Sequence, residues 1–186
     1  GSVRIVGTNT LRTAKNSQEF IEKAEKALGH PIDIIAGIEE ARLIYQGVAN
    51  SLGSNAKSRL VMDIGGGSTE YIIGIDDTAK TKESLNMGCV TVSNKFFNNG
   101  KISKRAFKRS VLFAQLKLEP FYRKFNSAQW DEAIGASGSL RSIHKVLIAN
   151  KWSNNGITKK GLEKLVAHIT QCKHVEELQL AELSVG

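Results

Sequence analysis

The chain has 186 residues, one domain or two small ones at roughly 150 residues each, and 26 Lys and Arg against 18 Asp and Glu give it a net charge of +8. With 41% hydrophobic residues, 24% charged and two prolines, it buries enough apolar surface to offset its ordering entropy, which excludes an intrinsically disordered chain. Two cysteines, Cys89 and Cys172, exclude a disulfide framework or a zinc cluster and fit a reducing, cytoplasmic compartment. No run approaches the roughly 18 consecutive apolar residues of a membrane span, and no charged-then-apolar leader opens the chain. Gly1-Ser2 without an initiating Met resembles a cloning remnant, so a piece of a longer protein is expected. The positive charge suggests an anionic partner without choosing among nucleic acid, membrane surface and phosphates.

Residues 3–7 (VRIVG) form a short β-branched apolar run, the signal of a buried strand. Thr8 to Arg12 has no clear period and predicts a loop or the approach to a helix. Asn16 followed by Glu19 resembles a capping box, and Phe20, Ile21, Ala24, Ala27 and Leu28 then recur at helical spacing until Gly29. Residues 32–36 predict a second strand. From Glu39, the residues Ala41, Ile44, Val48 and Leu52 outline an amphipathic helix. The small polar stretch 53–58 is expected to divide two units. Residues 59–64 and 68–75 predict two strands around the turn Gly65-Gly66-Gly67, and residues 83–92 a third in which Gly88 marks a bulge or close approach. A long helix is expected over 103–125, kinked or interrupted at Pro120. A short strand at Ala133-Ile134 leads through residues 135–139 into a helix, Thr158 caps another, and the last dozen residues look helical.

The most informative segment is Asp63-Ile64-Gly65-Gly66-Gly67-Ser68-Thr69-Glu70. Three glycines let a backbone approach a ligand closely, and consecutive N–H groups in such a turn form an anion-binding concavity. Asp63 and Glu70 flank the turn and suit Mg²⁺ beside a bound phosphate. A plain hairpin with solvated acids is the competing reading, but it needs no triple glycine. This is not a Walker A loop, because no Gly-Lys-Ser/Thr follows. Gly135-Ala136-Ser137-Gly138-Ser139 repeats the logic at a strand-to-helix turn, where N–H groups and the positive helix end face an anion together. Glu39 and Glu40 at a helix start satisfy the dipole or activate a water, and spacing alone favours the dipole. Arg12 unaided favours a surface pair over a phosphate contact. Lys101, Lys104, Arg105, Lys108 and Arg109 share one helix face, read as a solvated face opposite Phe107, Val111 and Ala114 rather than a polyanion track. The four histidines form no metal-ligand pattern.

Taken in order, Thr8 to Arg12, Gly37 to Arg42, Asp63 to Glu70, Asn86 to Val90 and Gly135 to Ser139 closely resemble the exopolyphosphatase / guanosine pentaphosphate phosphohydrolase family over nearly the whole chain. The resemblance implies an α/β fold of two RNase-H-like lobes, as in the actin-like ATPase superfamily, around a phosphate cleft. Residues 1–56 would be the end of the first lobe, and residues 57–186 most of the second, with a mixed sheet. It also implies Mg²⁺-dependent release of terminal phosphate from polyphosphate or guanosine pentaphosphate. Glu40 matches the family's catalytic glutamate, Glu70 the second essential acid and Asp63 the metal-associated aspartate. Gly65, Gly66, Gly67 and Ser68 match one phosphate loop, Gly138 and Ser139 another, and Arg12 a phosphate-binding arginine. The family's opening Asp-x-Gly-Ser-Asn loop has no counterpart, so half of the cleft is expected to be missing and this chain to be weakly active or inactive. A homodimer is left open for the parent protein.

Two other classes fit the same loops: an ATP-dependent kinase-like member of the superfamily, and a noncatalytic module that senses polyphosphate or nucleotide. Nucleic-acid binding is disfavoured, because no recognised nucleic-acid motif accompanies the charge.

Overall fold

The computed structural model describes residues 3–54 and 57–183. Gly1 and Ser2, and Asn55 and Ala56 within the expected dividing stretch, lie outside the described residues. The chain opens with β1 (Ile5–Gly7), α1 (Asn9–Thr13), α2 (Ser17–Leu28), β2 (Ile32–Ile34) and α3 (Gly37–Leu52). The two short strands pair in parallel, Ile5 opposite Ile32. Thr8 to Arg12 is thus the start of a helix. Gly29 closes α2 in the left-handed conformation, φ 71°, as expected. The capping box at Asn16 does not form: its side chain makes no cap hydrogen bond.

A second, four-stranded sheet follows, from β3 (Ser58–Ile64), β4 (Thr69–Ile75), β5 (Thr78–Leu85) and β6 (Glu132–Gly135), in the order β5-β4-β3-β6. The first three strands run antiparallel, and β6 lies parallel to β3. This is the mixed α/β sheet expected from the sequence. Helix α3 covers one face. Ala41, Tyr45 and Ala49, one helical turn apart, pack on Val61 of β3 and Ile72 of β4, all buried. Tyr45 is wholly buried, packs over Gly74, and its hydroxyl donates to the Asp76 carbonyl. Because side chains alternate along a strand, the positions that share this face with Val61 and Ile72 include Asp63 and Glu70.

The remaining elements are α4 (Cys89–Phe96), α5 (Lys104–Leu118), α6 (Tyr122–Phe125), α7 (Gly138–Ala149) and α8 (Lys159–Ile169). The strand expected over 83–92 is corrected: β5 ends at Leu85 and α4 begins at Cys89. Gly88 caps that helix rather than bulging a strand, with its N–H donating to Thr91 Oγ1. The close approach anticipated there does occur, since a Cβ on Gly88 would lie 2.5 Å from the Gly65 carbonyl oxygen. The long helix breaks as foreseen at Pro120, through a 3-10 turn at Glu119–Phe121. Val111 is 41% exposed, so it lies outside the inward face assigned to it. The expected terminal helix is absent among the described residues, where only a 3-10 turn, Val175–Glu177, forms. No helix of the described residues is long and apolar enough to cross a membrane.

Ser103 caps α5 by accepting from the Ala106 N–H at 3.1 Å. Ser103→Ala is expected to cost about 1 kcal/mol, seen as a lower urea midpoint with an unchanged slope.

Candidate active site

Register places Asp63 directly opposite Glu70, and Glu70 directly opposite Ser84. These three side chains form one row across β3, β4 and β5, on the face that α3 covers. Glu70 is 1% exposed. Its carboxylate accepts the Ser84 hydroxyl at 2.7 Å and a second hydrogen bond from Ser68. Burial pushes the Glu70 carboxyl above the usual carboxylate range and the two serine bonds pull it back, while the charges of Glu40 and Asp63 raise it further. Asp63 is raised as well, by burial and then by Glu40. Glu40, Asp63 and Glu70 therefore share one field.

The N-terminus of α3 brings the third acid. Gly37 lies against the Ser84 hydroxyl, and a Cβ there would meet Ser84 Cβ at 2.6 Å. Only glycine lets the helix start this close to β5. One residue pair then divides its labour. Glu39 points to solvent and binds Arg42 at 2.7 Å, which holds its carboxyl low. Glu40 turns inward and meets Arg12, whose Nη1 and Nη2 both donate to Glu40 Oε2 at 3.1 Å. Arg12 Nη1 also donates to the Ile35 carbonyl at 2.6 Å. The side chains of this pair are 21% and 17% exposed. Arg12 thus pairs with an acid, but not with the surface acid expected from residue type alone: its partner is the inward-facing Glu40.

The glycine turn caps α4. The Gly65 carbonyl accepts the Cys89 N–H at 2.9 Å, and the Gly66 carbonyl accepts those of Val90 and Thr91 at 2.9 and 3.1 Å. Gly65 N–H closes the turn on the Ser68 carbonyl at 3.0 Å. With the loop's carbonyls committed to the helix, no acceptor among the described residues takes the N–H of Gly66 or Gly67. Asn9, from α1, lies directly over Gly67. The second loop is tied to the first: Ser139 Oγ donates to the Ile64 carbonyl at 2.9 Å. Ser137 caps α7 by accepting the Leu140 N–H at 3.2 Å, which leaves the Gly138 and Ser139 N–H groups at the helix start.

The structure therefore brings Arg12, Glu40, Asp63, Glu70 and both glycine loops into one neighbourhood. Sequence reasoning missed Asn9 and Ser84. Asn9 sat inside the Thr8 to Arg12 motif without a role, and nothing in a lysine-rich strand distinguishes Ser84. Among the described residues, no group of three or more His, Cys, Asp or Glu side chains is arranged to hold a metal ion by itself.

A model of the Ppx/GppA phosphatase family matches residues 1–186. The chain belongs to that family. This Ppx/GppA chain is 42% identical over 183 residues to a guanosine-5'-triphosphate,3'-diphosphate pyrophosphatase of Vibrio vulnificus, covering 98% of itself and 36% of the relative. It is 41% identical over 184 residues to the Vibrio cholerae protein of that name, covering 99% of itself and 37% of the relative. The chain thus spans little more than a third of the length of these curated relatives. Among solved structures, an exopolyphosphatase from Cytophaga hutchinsonii superposes with a TM-score of 0.81 at 23% identity, over 98% of this chain and 61% of that one. The Aquifex aeolicus Ppx/GppA family member gives 0.70 at 26% identity, over 92% and 56%. The fold is that of Ppx/GppA phosphatases.

Ser84→Ala is expected to destabilise the protein by about 1–3 kcal/mol at neutral pH, because Glu70 then loses a donor to a buried carboxylate. Urea denaturation at neutral and acid pH checks this, and the loss should shrink once Glu70 is protonated.

Proposed function

We propose that this chain carries the catalytic residues of a phosphoanhydride hydrolase, which releases the terminal phosphate of inorganic polyphosphate or guanosine pentaphosphate by attack of water. One observation carries the reading: Glu40, Asp63 and Glu70 converge beside a glycine turn whose Gly66 and Gly67 N–H groups have no acceptor among the described residues. Those N–H groups, with those of Gly138 and Ser139 at the start of α7, supply fixed donors for phosphate oxygens. The Ser139 hydroxyl is committed to Ile64, so that residue contributes through its backbone. Arg12 spends three N–H groups on Glu40 and Ile35, and its Nε–H and remaining Nη2–H suit a phosphate oxygen. Glu40, at the positive end of α3, orients the attacking water in line with the terminal phosphorus and takes its proton.

Asp63 and Glu70 fit Mg²⁺. They are hard oxygen donors, opposite each other across two strands, and a cation would relieve the burial that raises both carboxyls and the nearby negative charge, that of Glu40 for both and of Asp63 for Glu70. Two carboxylates suffice, since Mg²⁺ keeps several waters and shares substrate phosphates. When bound, it supplies charge neutralisation at the phosphoanhydride. The Vibrio relatives, named guanosine-5'-triphosphate,3'-diphosphate pyrophosphatases, support this substrate class.

The test, made on protein of the relatives' full length because this chain alone is expected to be weakly active or inactive, is Mg²⁺-dependent orthophosphate release from long-chain polyphosphate and from guanosine pentaphosphate, with ATP alongside. Release from either of the first two, above that from ATP, is expected. A nucleotide-stabilised protein that moves phosphate only from ATP to an acceptor would overturn the reading.

A further inference from the structure

The chain's positive charge is concentrated in one place. Residues 101–124 carry eight Lys and Arg and one acid, Glu119, so this segment holds seven of the eight net charges of the whole chain. At its centre lies α5. The first turn of α5 holds Lys104 and Arg105 and no acid, an arrangement that opposes the helix dipole, which favours carboxylates there. None of Lys104, Arg105, Lys108, Arg109 or Lys117 has a carboxylate within ion-pair distance among the described residues. Helix stability therefore does not account for these cations.

Nor is their face simply the solvated one expected from the sequence. Arg105, Arg109, Leu112 and Leu116 recur four, three and four residues apart, which sets them in one narrow stripe along α5. All four are exposed, the leucines by 53% and 60%. The other side of the helix is anchored, with Phe113 against Phe96 and Phe107 against Phe97. Arg109 also lies over the Phe96 ring at 6.0 Å, which steadies its guanidinium. The stripe is thus cationic in its first half and apolar in its second.

That pattern selects among anionic partners. A four-three-four stripe is the seam on which a second helix lies, and arginine's planar fork suits carboxylates. A helix that beds in a membrane interface needs a broad apolar face, whereas here the exposed polar Lys108 and Gln115 sit beside the leucines. Nucleic acid would meet the cations and leave the leucines in water. A second copy of α5 would bring like charges together.

We propose that this stripe docks an acidic amphipathic helix of a partner protein, parallel to α5, with carboxylates over Arg105 and Arg109 and apolar side chains over Leu112 and Leu116. The parallel direction places the partner's acids in its own first turns, where its dipole favours them. The docking site is independent of the hydrolase reading.

The test is fluorescence anisotropy of a labelled synthetic helical peptide, with protein of the relatives' full length and with the 186-residue chain. The peptide carries two glutamates and then two leucines at the spacing of the stripe. Saturable binding to both proteins is expected. Arg105→Glu/Arg109→Glu and Leu112→Ser/Leu116→Ser, both at exposed positions and expected to melt as the wild type does, should each weaken it at least about thirtyfold, the scale of an interface hot spot. A peptide with lysines in place of the glutamates should recover binding to the arginine variant. Equal binding of a scrambled peptide, or a loss confined to the arginine variant, would reduce the site to bare charge and overturn the proposal. Binding by the short chain but not by the longer protein would mean that the remainder covers α5, and would overturn it too. Displacement of the peptide by phosphatidylglycerol vesicles or by single-stranded RNA would assign the face to a membrane or to nucleic acid instead.

Discussion

In protein of the relatives' full length, Glu40→Gln is expected to lower orthophosphate release by about 10²- to 10⁴-fold, the range over which a positioned general base contributes. The substitution keeps the size of the side chain and an oxygen for Arg12, so the fold and the Arg12 contacts should persist while the proton acceptor is lost. Glu39 cannot replace it. Its carboxylate is engaged by Arg42 on the solvent side of α3, facing away from the row formed by Asp63 and Glu70. Accordingly, Glu39→Gln should leave the rate within about threefold of the wild type, since a solvent-screened surface ion pair contributes little. Steady-state release by the two variants, compared at matched melting temperature, checks both. A Glu39→Gln variant as impaired as Glu40→Gln would contradict the division of labour between neighbours.

Glu70→Gln should separate function from stability. Turnover is expected to fall with the loss of a carboxylate beside Asp63, yet the protein should melt higher at neutral pH. The sign follows from linkage. Burial holds the folded Glu70 carboxyl above its unfolded value, with Glu40 and Asp63 adding to the shift. The folded state therefore binds more protons than the unfolded state within the window between the two values, and stability falls as pH rises through it. The amide has no such penalty, and its oxygen still accepts from Ser84. The gain should be complete above the raised folded value and vanish below about pH 4. A shift of a few degrees is the expected scale, since 1 kcal/mol moves the midpoint of a chain this size by about 2–4 °C. A melting temperature that drops at neutral pH would mean that the Ser68 and Ser84 hydrogen bonds outweigh burial. An active site that holds like charges together commonly gives up stability in this way.

Much of this arrangement was legible in the sequence, for identifiable reasons. The hairpin at Gly65 to Gly67 stood out because β-branched runs bound it, and the helix from Gly37 because its apolar residues recur at helical spacing. The segment 83–92 was misread because Val90, Thr91 and Val92 are strand formers. They fold as the first turns of α4 because Gly65 and Gly66, distant in sequence, supply the carbonyls that cap it, and tertiary context overrides propensity. The Arg12–Glu40 pair joins residues 28 positions apart, and no local pattern encodes such a meeting. Ser84 is equally silent: its role is set by the register that places it opposite Glu70. Residues 175–183 are rich in Leu and Glu, but so short a segment does not sustain a helix on propensity alone.

The most direct measurement is orthophosphate release from long-chain polyphosphate in heavy-oxygen water with Mg²⁺ present, for protein of the relatives' full length, wild type and Glu40→Gln in parallel. Water attack at the terminal phosphorus, directed by Glu40, predicts one solvent oxygen in each orthophosphate released by the wild type and almost no release by the variant. Release unchanged by Glu40→Gln, or orthophosphate without solvent oxygen, would contradict it.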